Sequence, residues 1–242
     1  MTHYDAWASH YDSLMGNRDD VIEILQSAID RYHPDAKTVL ELGCGTGTIL
    51  GGLNGKYSLT GLDLSMEMLK IAQQKLAKSR LICGDIIDFE LDTKFDIIFC
   101  VFDTINHLRS YAKWEKVFLQ AKKHLRASGL FIFDMDTLGR MEALGKDNSF
   151  IQEIDNGSAE LDITSLAPGQ VKWNITIQQH QSSGVVQVYE DEVIEVSFPL
   201  AQVIQSVSEH FDIIETFDSL IQAPSEKSDR VYFVCRLRDM AP

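Results

Sequence analysis

The sequence predicts an α/β fold in which a mostly parallel sheet carries helices on both faces and is interrupted late in the chain by an antiparallel β insertion. Three observations predict it. Between residues 38 and 135, short apolar runs of strand length alternate with helical segments, the order a parallel sheet buried on both faces requires. The first run opens into a glycine-rich turn, VLELGCGTGT. Between about 148 and 197 the texture changes to polar and apolar alternation, which suits strands with one wet face.

At the amino end Tyr4, Trp7, Ala8, Tyr11 and Leu14 recur at helical spacing. Val21, Ile22, Leu25, Ala28, Ile29 and Tyr32 do the same behind the acidic first turn Asp19-Asp20, where carboxylates suit a helix start. Two helices therefore precede the first strand, 38–42. A short helix follows the glycine turn. Strand 58–63, helix 65–78, strand 80–84, strand 95–101, helix 110–126 and strand 129–135 come next. Ser65 is the expected cap of its helix, with Met68, Leu69, Ala72 and Leu76 as the apolar face. Trp114, Val117, Phe118, Ala121 and Leu125 form the next stripe, which Ser128-Gly129 ends. In the insertion, Ser182-Ser183-Gly184 reads as a turn. Pro199 opens a further helix, and strands 211–217 and 229–237 bring the main sheet to seven.

A chain of 242 residues can bury one core of this kind, so a single domain spanning 1–242 is expected, with 148–197 inserted as a lid. No apolar run is long enough for a bilayer. The first residues, MTHYDAWASHYD, lack a basic start and an apolar stretch, which makes a cytoplasmic location the expectation. Cys44, Cys83, Cys100 and Cys235 stand far apart and form no zinc or redox pair. A formal charge of −14 repels phosphate backbones, so nucleic acid is not the expected partner.

The chemistry begins at Glu41-Leu42-Gly43-Cys44-Gly45-Thr46-Gly47, a strand running into a turn whose glycines allow close ligand approach. The spacing is G-x-G-x-G rather than the dinucleotide G-x-G-x-x-G, with Leu50 at the position five residues past Gly45. Glu41 opposes a pyrophosphate and suits a cation. No Gly-Lys-Ser/Thr follows, which removes a P-loop. Asp63 ends the second strand about twenty residues past the first glycine, where an acid can accept ribose hydroxyls. Asp85, after Gly84 at the end of the third strand, can accept from an adenine amine while Ile86 covers the ring.

These residues, in this order, resemble the class I S-adenosylmethionine (SAM) dependent methyltransferases, whose first motif is matched by Glu41 to Gly47 and whose ribose acid is matched by Asp63. The resemblance continues through Gly84-Asp85, Phe95-Asp96-Ile97-Ile98 and HLRASGLFIF, although Arg126-Ala127-Ser128-Gly129 lacks that turn's usual proline and first glycine. It implies a Rossmann-like fold and SAM as cofactor, with Leu64 and Val101 beside the matched motifs also against it. Within the class, Tyr11-Asp12, Phe102-Asp103-Thr104-Ile105-Asn106-His107-Leu108, the insertion and Asp229-Arg230-Val231-Tyr232-Phe233-Val234 are similar to bacterial small-molecule enzymes, including those that methylate sugar amines. That likeness implies that Tyr11 helps close the cofactor site and that the segment after the fourth strand borders the methyl group.

The expected reaction is therefore methyl transfer to a nitrogen or oxygen of a small molecule, with Asp103 and His107 as catalytic candidates and Trp173, Tyr189 and Glu190 as lid residues lining the acceptor pocket. No metal site is expected. Two alternatives stay open: a SAM-binding module or partner subunit without turnover, and methylation of RNA or protein, against which the acidic insertion with its single cation, Lys172, argues. A homodimer stands as an open alternative to a monomer.

Overall fold

A computed structural model describes residues 3–146, 148–220 and 222–238. The amino end is a 3-10 turn, Asp5–His10, leading into helix α1, Tyr11–Met15. Trp7 leaves helical geometry there, with φ −130° and ψ 22°, so the expected single helix is broken in two. Its apolar face nevertheless forms, since Trp7, Ala8 and Leu14 are buried. Helix α2, Asp19–Tyr32, precedes β1, Thr38–Leu42. Helix α3, Thr48–Gly52, leads to β2, Ser58–Asp63. Helix α4, Met66–Lys75, then β3, Arg80–Cys83, and β4, Phe95–Cys100, follow. Ser65 caps α4 by accepting from Met68 N at 3.1 Å, a contact worth about 1 kcal/mol. A 3-10 turn, Thr104–His107, then α5, Tyr111–His124, and β5, Leu125–Asp136, complete the first half.

Helix α6, Leu138–Leu144, which the apolar pattern does not announce, introduces four strands, β6 Asn148–Ile154, β7 Gly157–Ala167, β8 Gln170–His180 and β9 Val186–Val196. Helix α7, Leu200–Ser208, and strands β10, Phe211–Asp218, and β11, Arg230–Leu237, close the fold.

The main sheet has the order β10-β11-β5-β4-β1-β2-β3. The pairs from β5 to β3 are parallel, and β11 runs antiparallel to both neighbours. Alternate residues of β4 face opposite cores: Ile98 joins Trp114, Phe118 and Val203, while Ile97 and Phe99 join Leu25, Ile29 and Leu50. Both faces are thus dry, as the apolar runs predict. The chain leaves β1 toward β2 and β3, then returns to the other side of β1 with β4. That reversal opens a crevice at the carboxyl ends of β1 and β4, the place where open α/β sheets bind ligands.

The insertion is a separate sheet, β6-β7-β8-β9, antiparallel throughout. Its inner face, with Ala159, Leu161, Ile175, Ile177 and Val193, buries Trp7 and Leu14. Strand β9 also packs on the 3-10 turn after β4. The insertion and the amino-terminal segment therefore border the crevice together. The expected turn at 126–129 lies within β5, where the register with β4 shifts between Leu125 and Leu130, and Ser128 accommodates it with a left-handed φ of 61°.

Candidate active site

The glycine turn after β1 is held by its neighbours. Gly43 N and Cys44 N both donate to Leu62 O, at 2.7 and 3.1 Å, and Gly43, Gly45 and Gly47 all have positive φ. A Cβ on Gly47 would meet Leu76 Cδ1 at 2.8 Å, whereas one on Gly45 would meet nothing within 4 Å. Gly47 lets α4 approach, and Gly45 leaves open space above its backbone. Cys44 is buried and free.

Asp63 receives Gly45 N at 2.7 Å on one oxygen and Ser65 N at 2.8 Å on the other. Each carboxylate oxygen keeps further acceptor capacity. Burial raises its carboxyl above the ordinary range, and the two backbone donors pull it back. Glu41, on β1, is buried, and its Oε2 has no hydrogen-bond partner. Burial, then the charge of Asp63, pushes its carboxyl well above the usual value. A buried carboxylate oxygen with no donor is the fit expected of a site that takes a cationic ligand.

Gly84 N donates to Asp63 O at 2.9 Å, bringing the ends of β2 and β3 together. Asp85 accepts from Ile87 N at 3.1 Å, Ile86 is buried, and Leu64 is 55% exposed. An exposed leucine beside the half-buried Asp63 offers an apolar face for a ring. Val101 is buried, and its carbonyl accepts from Thr104 Oγ1 at 2.9 Å.

The loop after β4 is strained, since Phe102 and Asp103 have φ values of 60° and 52° without being glycine. Asp134 on β5 holds it. Its two oxygens accept from Phe102 N at 2.7 Å and Asp103 N at 2.8 Å. Burial pushes the Asp134 carboxyl up to about 7 against the pull of Arg230. Arg230, on β11, contacts Asp103 Oδ1 and reaches Asp136 Oδ1 at 2.8 Å and Asp134 Oδ2 at 3.6 Å.

His107 Nε2 lies 3.3 Å from the Tyr4 hydroxyl, and the two rings meet edge to face. Burial lowers the histidine below its ordinary value, partly countered by Asp103, so the imidazole is neutral near pH 7. Tyr11 stacks edge-on to Tyr4. Burial, then the charges of Asp103 and Asp63, raises its phenol. Tyr11 thus lies between the acid of the glycine turn and the acid of the β4 loop.

The amino-terminal segment is strapped across the site. Asp191 on β9 accepts from Tyr4 N at 2.7 Å and Trp7 Nε1 at 3.0 Å, Asp5 bonds Ser65 Oγ, and Asp12 accepts from Thr46 and Thr48 Oγ1 at 2.6 and 3.0 Å.

Of the lid residues expected at the pocket, Tyr189 packs in the insertion's core against His10, and Trp173 is partly buried. Glu190 is exposed and stands on the other face, a correction that follows from strand parity. Residues 189, 191, 193 and 195 share the inner face of β9. Asp191 and Glu195, which sequence reasoning missed, are therefore the acids that face inward. The signal was present in VYEDEVIEV: counting in twos from Val193 puts two carboxylates on an apolar face. Glu195 joins Asp103 and His107 in a group whose ligand atoms lie within 4.8 Å of one another. This group was not visible as a spacing, because its members come from two distant segments.

A parallel sheet with a glycine turn at its switch point and two carboxylates, Glu41 and Asp63, beside that turn is an arrangement suited to a cationic nucleoside. Residues 39–129 match the family described as "Methyltransferase domain". A protein of Geobacillus sp. (strain WCH70), provisionally named a methyltransferase, is 27% identical across 96% of this chain and 99% of its own. The dTDP-3-amino-3,6-dideoxy-alpha-D-glucopyranose N,N-dimethyltransferase of Streptomyces fradiae is 31% identical over 46% of this chain and 44% of its own. Among solved structures, an S-adenosylmethionine-dependent methyltransferase from Clostridium acetobutylicum ATCC 824 superposes with TM-score 0.86 at 22% identity, covering 97% of this chain and 98% of that one. The chain carries a methyltransferase domain and is a SAM-dependent methyltransferase, with SAM as its cofactor. None of the helices among the described residues is long and apolar enough to cross a membrane.

Proposed function

We propose that this enzyme methylates an amino nitrogen of a small, sugar-like molecule. The observation that carries the reading is the meeting of Asp103 and a neutral, half-buried His107 near the glycine turn, past the carboxyl end of β4. A carboxylate can orient an amine, and a neutral imidazole can take its proton. The Streptomyces fradiae relative, named for an amino-sugar N,N-dimethylation, supports the amine over a hydroxyl. The overall charge of −14 supports a small molecule over RNA.

SAM supplies a methyl group on a positively charged sulfur, which leaves without acid assistance. The chain's own residues then bind the cofactor, orient the acceptor and take up its proton. Glu41, with its unpartnered oxygen, would hold the ammonium of the amino-acid end, and Asp63 would hold the ribose hydroxyls. Asp85 would accept from the adenine amine, with Leu64 and Ile86 against the ring. Gly43, Cys44, Gly45, Gly47 and Gly84 would provide close-approaching backbone, with Tyr11 and Val101 at the sides. Asp103 orients the acceptor, and His107 Nε2 takes the proton, directly or through the Tyr4 hydroxyl. Alignment in a water-poor site contributes about 7 to 11 kcal/mol in favourable cases, more than proton transfer contributes.

The test is incubation of purified protein with methyl-labelled SAM and dTDP-activated amino sugars beside a cell metabolite extract, with products identified by mass. Label on an amine nitrogen is the expected result. Label confined to hydroxyl or carboxyl oxygen, or to macromolecules, would overturn the amine reading.

A further inference from the structure

Five ionisable residues meet where β5, β9, β11 and the loop after β4 converge, and acids outnumber bases among them. Asp103, Asp134, Asp136 and Glu195 supply four carboxylates against the one guanidinium of Arg230. Asp134 is committed to the β4 loop through Phe102 N and Asp103 N. Asp136 is committed to Arg230 Nε at 2.8 Å. Asp103 gives Oδ1 to Arg230.

Glu195 is different. It is 6% exposed and stands at the end of β9, within 4.8 Å of the ligand atoms of Asp103 and His107. The Trp173 indole approaches it without completing a well-formed hydrogen bond, since that Nε1 has no partner by geometry. Burial, then the neighbouring Asp103 and Asp136, pushes its carboxyl well above the ordinary range. A buried acid facing a second acid and a neutral imidazole is costly unless a cation arrives.

The place where the cation would arrive is the acceptor side of the site. The β4 loop touches the glycine turn through Thr104 and Gly43, and Tyr4 feels the charges of both Glu195 and Asp103. We propose that Glu195 and Asp103 form a seat for an ammonium group where the methyl is transferred, so that Glu195 makes the enzyme select amines over hydroxyls. This rests on the amine reading above. It adds a residue from the insertion, and so gives the inserted sheet a direct part in choosing the acceptor.

Sinefungin tests the seat without a known acceptor, because it carries an amine where SAM carries its transferable methyl. Titrate sinefungin and S-adenosylhomocysteine, which has no charge at that position, into wild type, Glu195→Gln and Glu195→Asp. Wild type is expected to prefer sinefungin by about tenfold or more, as a charge-assisted contact implies. In Glu195→Gln the ratio falls to within about threefold while S-adenosylhomocysteine still binds, which also shows that the variant is folded. Glu195→Asp retains part of the preference.

Equal affinities in the wild type would overturn the seat, whatever the variants do. So would saturable binding of Mn²⁺ alone that disappears in Glu195→Gln while the sinefungin preference stays, since the cluster would then be a metal site. Failure of both nucleosides to bind any of the proteins would count against the cofactor site itself, a different result from two equal affinities.

Discussion

Thr104 stands where a side chain on Gly43 would have to go: a Cβ at Gly43 would lie 2.4 Å from Thr104 Cγ2. The glycine turn and the loop after β4 are therefore in contact at the switch point, and glycine is what permits it. Gly43 also has φ +77°. Gly43→Ala adds left-handed strain to overpacking and should cost about 2 to 4 kcal/mol of stability. Gly45→Ala meets nothing within 4 Å and should cost only the backbone strain, about 1 to 2 kcal/mol, while still obstructing the cofactor. Denaturant melts and SAM titrations of the two variants check this. Equal stability losses would show that the contact is not what fixes Gly43.

Asp63 staples the turn, because Gly45 N and Ser65 N end on it, and in the proposed site it also takes the ribose. Asp63→Ala should lower SAM affinity about tenfold to a hundredfold and destabilise the empty protein by about 1 to 3 kcal/mol. Asp63→Asn keeps the shape and one acceptor oxygen, so its stability loss should be smaller. Calorimetry with unchanged SAM affinity in both variants would remove Asp63 from the cofactor site.

Glu41 makes the empty site sensitive to pH. Its folded carboxyl is raised above its unfolded value, so from about pH 4.3 upward the native state holds a proton that the unfolded chain has lost. Its contribution to stability therefore falls as pH rises through that window. Glu41→Gln should melt higher than wild type at pH 8 without cofactor, with the gap closing toward pH 4. The same variant should bind SAM about tenfold to a hundredfold more weakly, since the ammonium loses its charged partner. Melts that differ equally at both pH values would contradict the assignment.

Arg230 is paired with Asp103, Asp134 and Asp136 at once. Arg230→Met leaves buried carboxylates uncompensated and should cost about 3 to 5 kcal/mol near neutral pH. The loss should shrink at pH 5, because the orphaned acids then fold in their protonated form. A loss independent of pH would point to packing against Phe102, whose ring Arg230 covers at 5.2 Å.

His107→Ala should slow methyl transfer by about 10² to 10⁴ without abolishing it, because alignment supplies more than proton acceptance. Binding of S-adenosylhomocysteine should change little. Burial lowers the histidine, so the acidic limb of the wild-type rate profile should fall below pH 6.5, and the variant should lose that limb. A variant at full rate with the same limb would leave His107 a packing partner of Tyr4.

The sequence by itself determined the parallel frame, the glycine turn, the acids at the ends of the first three strands and the existence of the insertion. Those features are local: a strand's apolar run, a turn's glycines and an acid at fixed distance follow from neighbours along the chain. It also placed Asp103 and His107 after the fourth strand. It did not separate Glu190 from Glu195, because face assignment needs the strand's register, and a shift of one residue moves every side chain to the other side. The tertiary structure alone brought Arg230 to Asp103, 127 positions apart in sequence, and Tyr4 to His107, 103 apart. Such pairs leave no spacing to read. They exist because β11 returns beside β5 and because the insertion holds the amino-terminal segment against the crevice, and only the folded chain sets which charges then share one buried space.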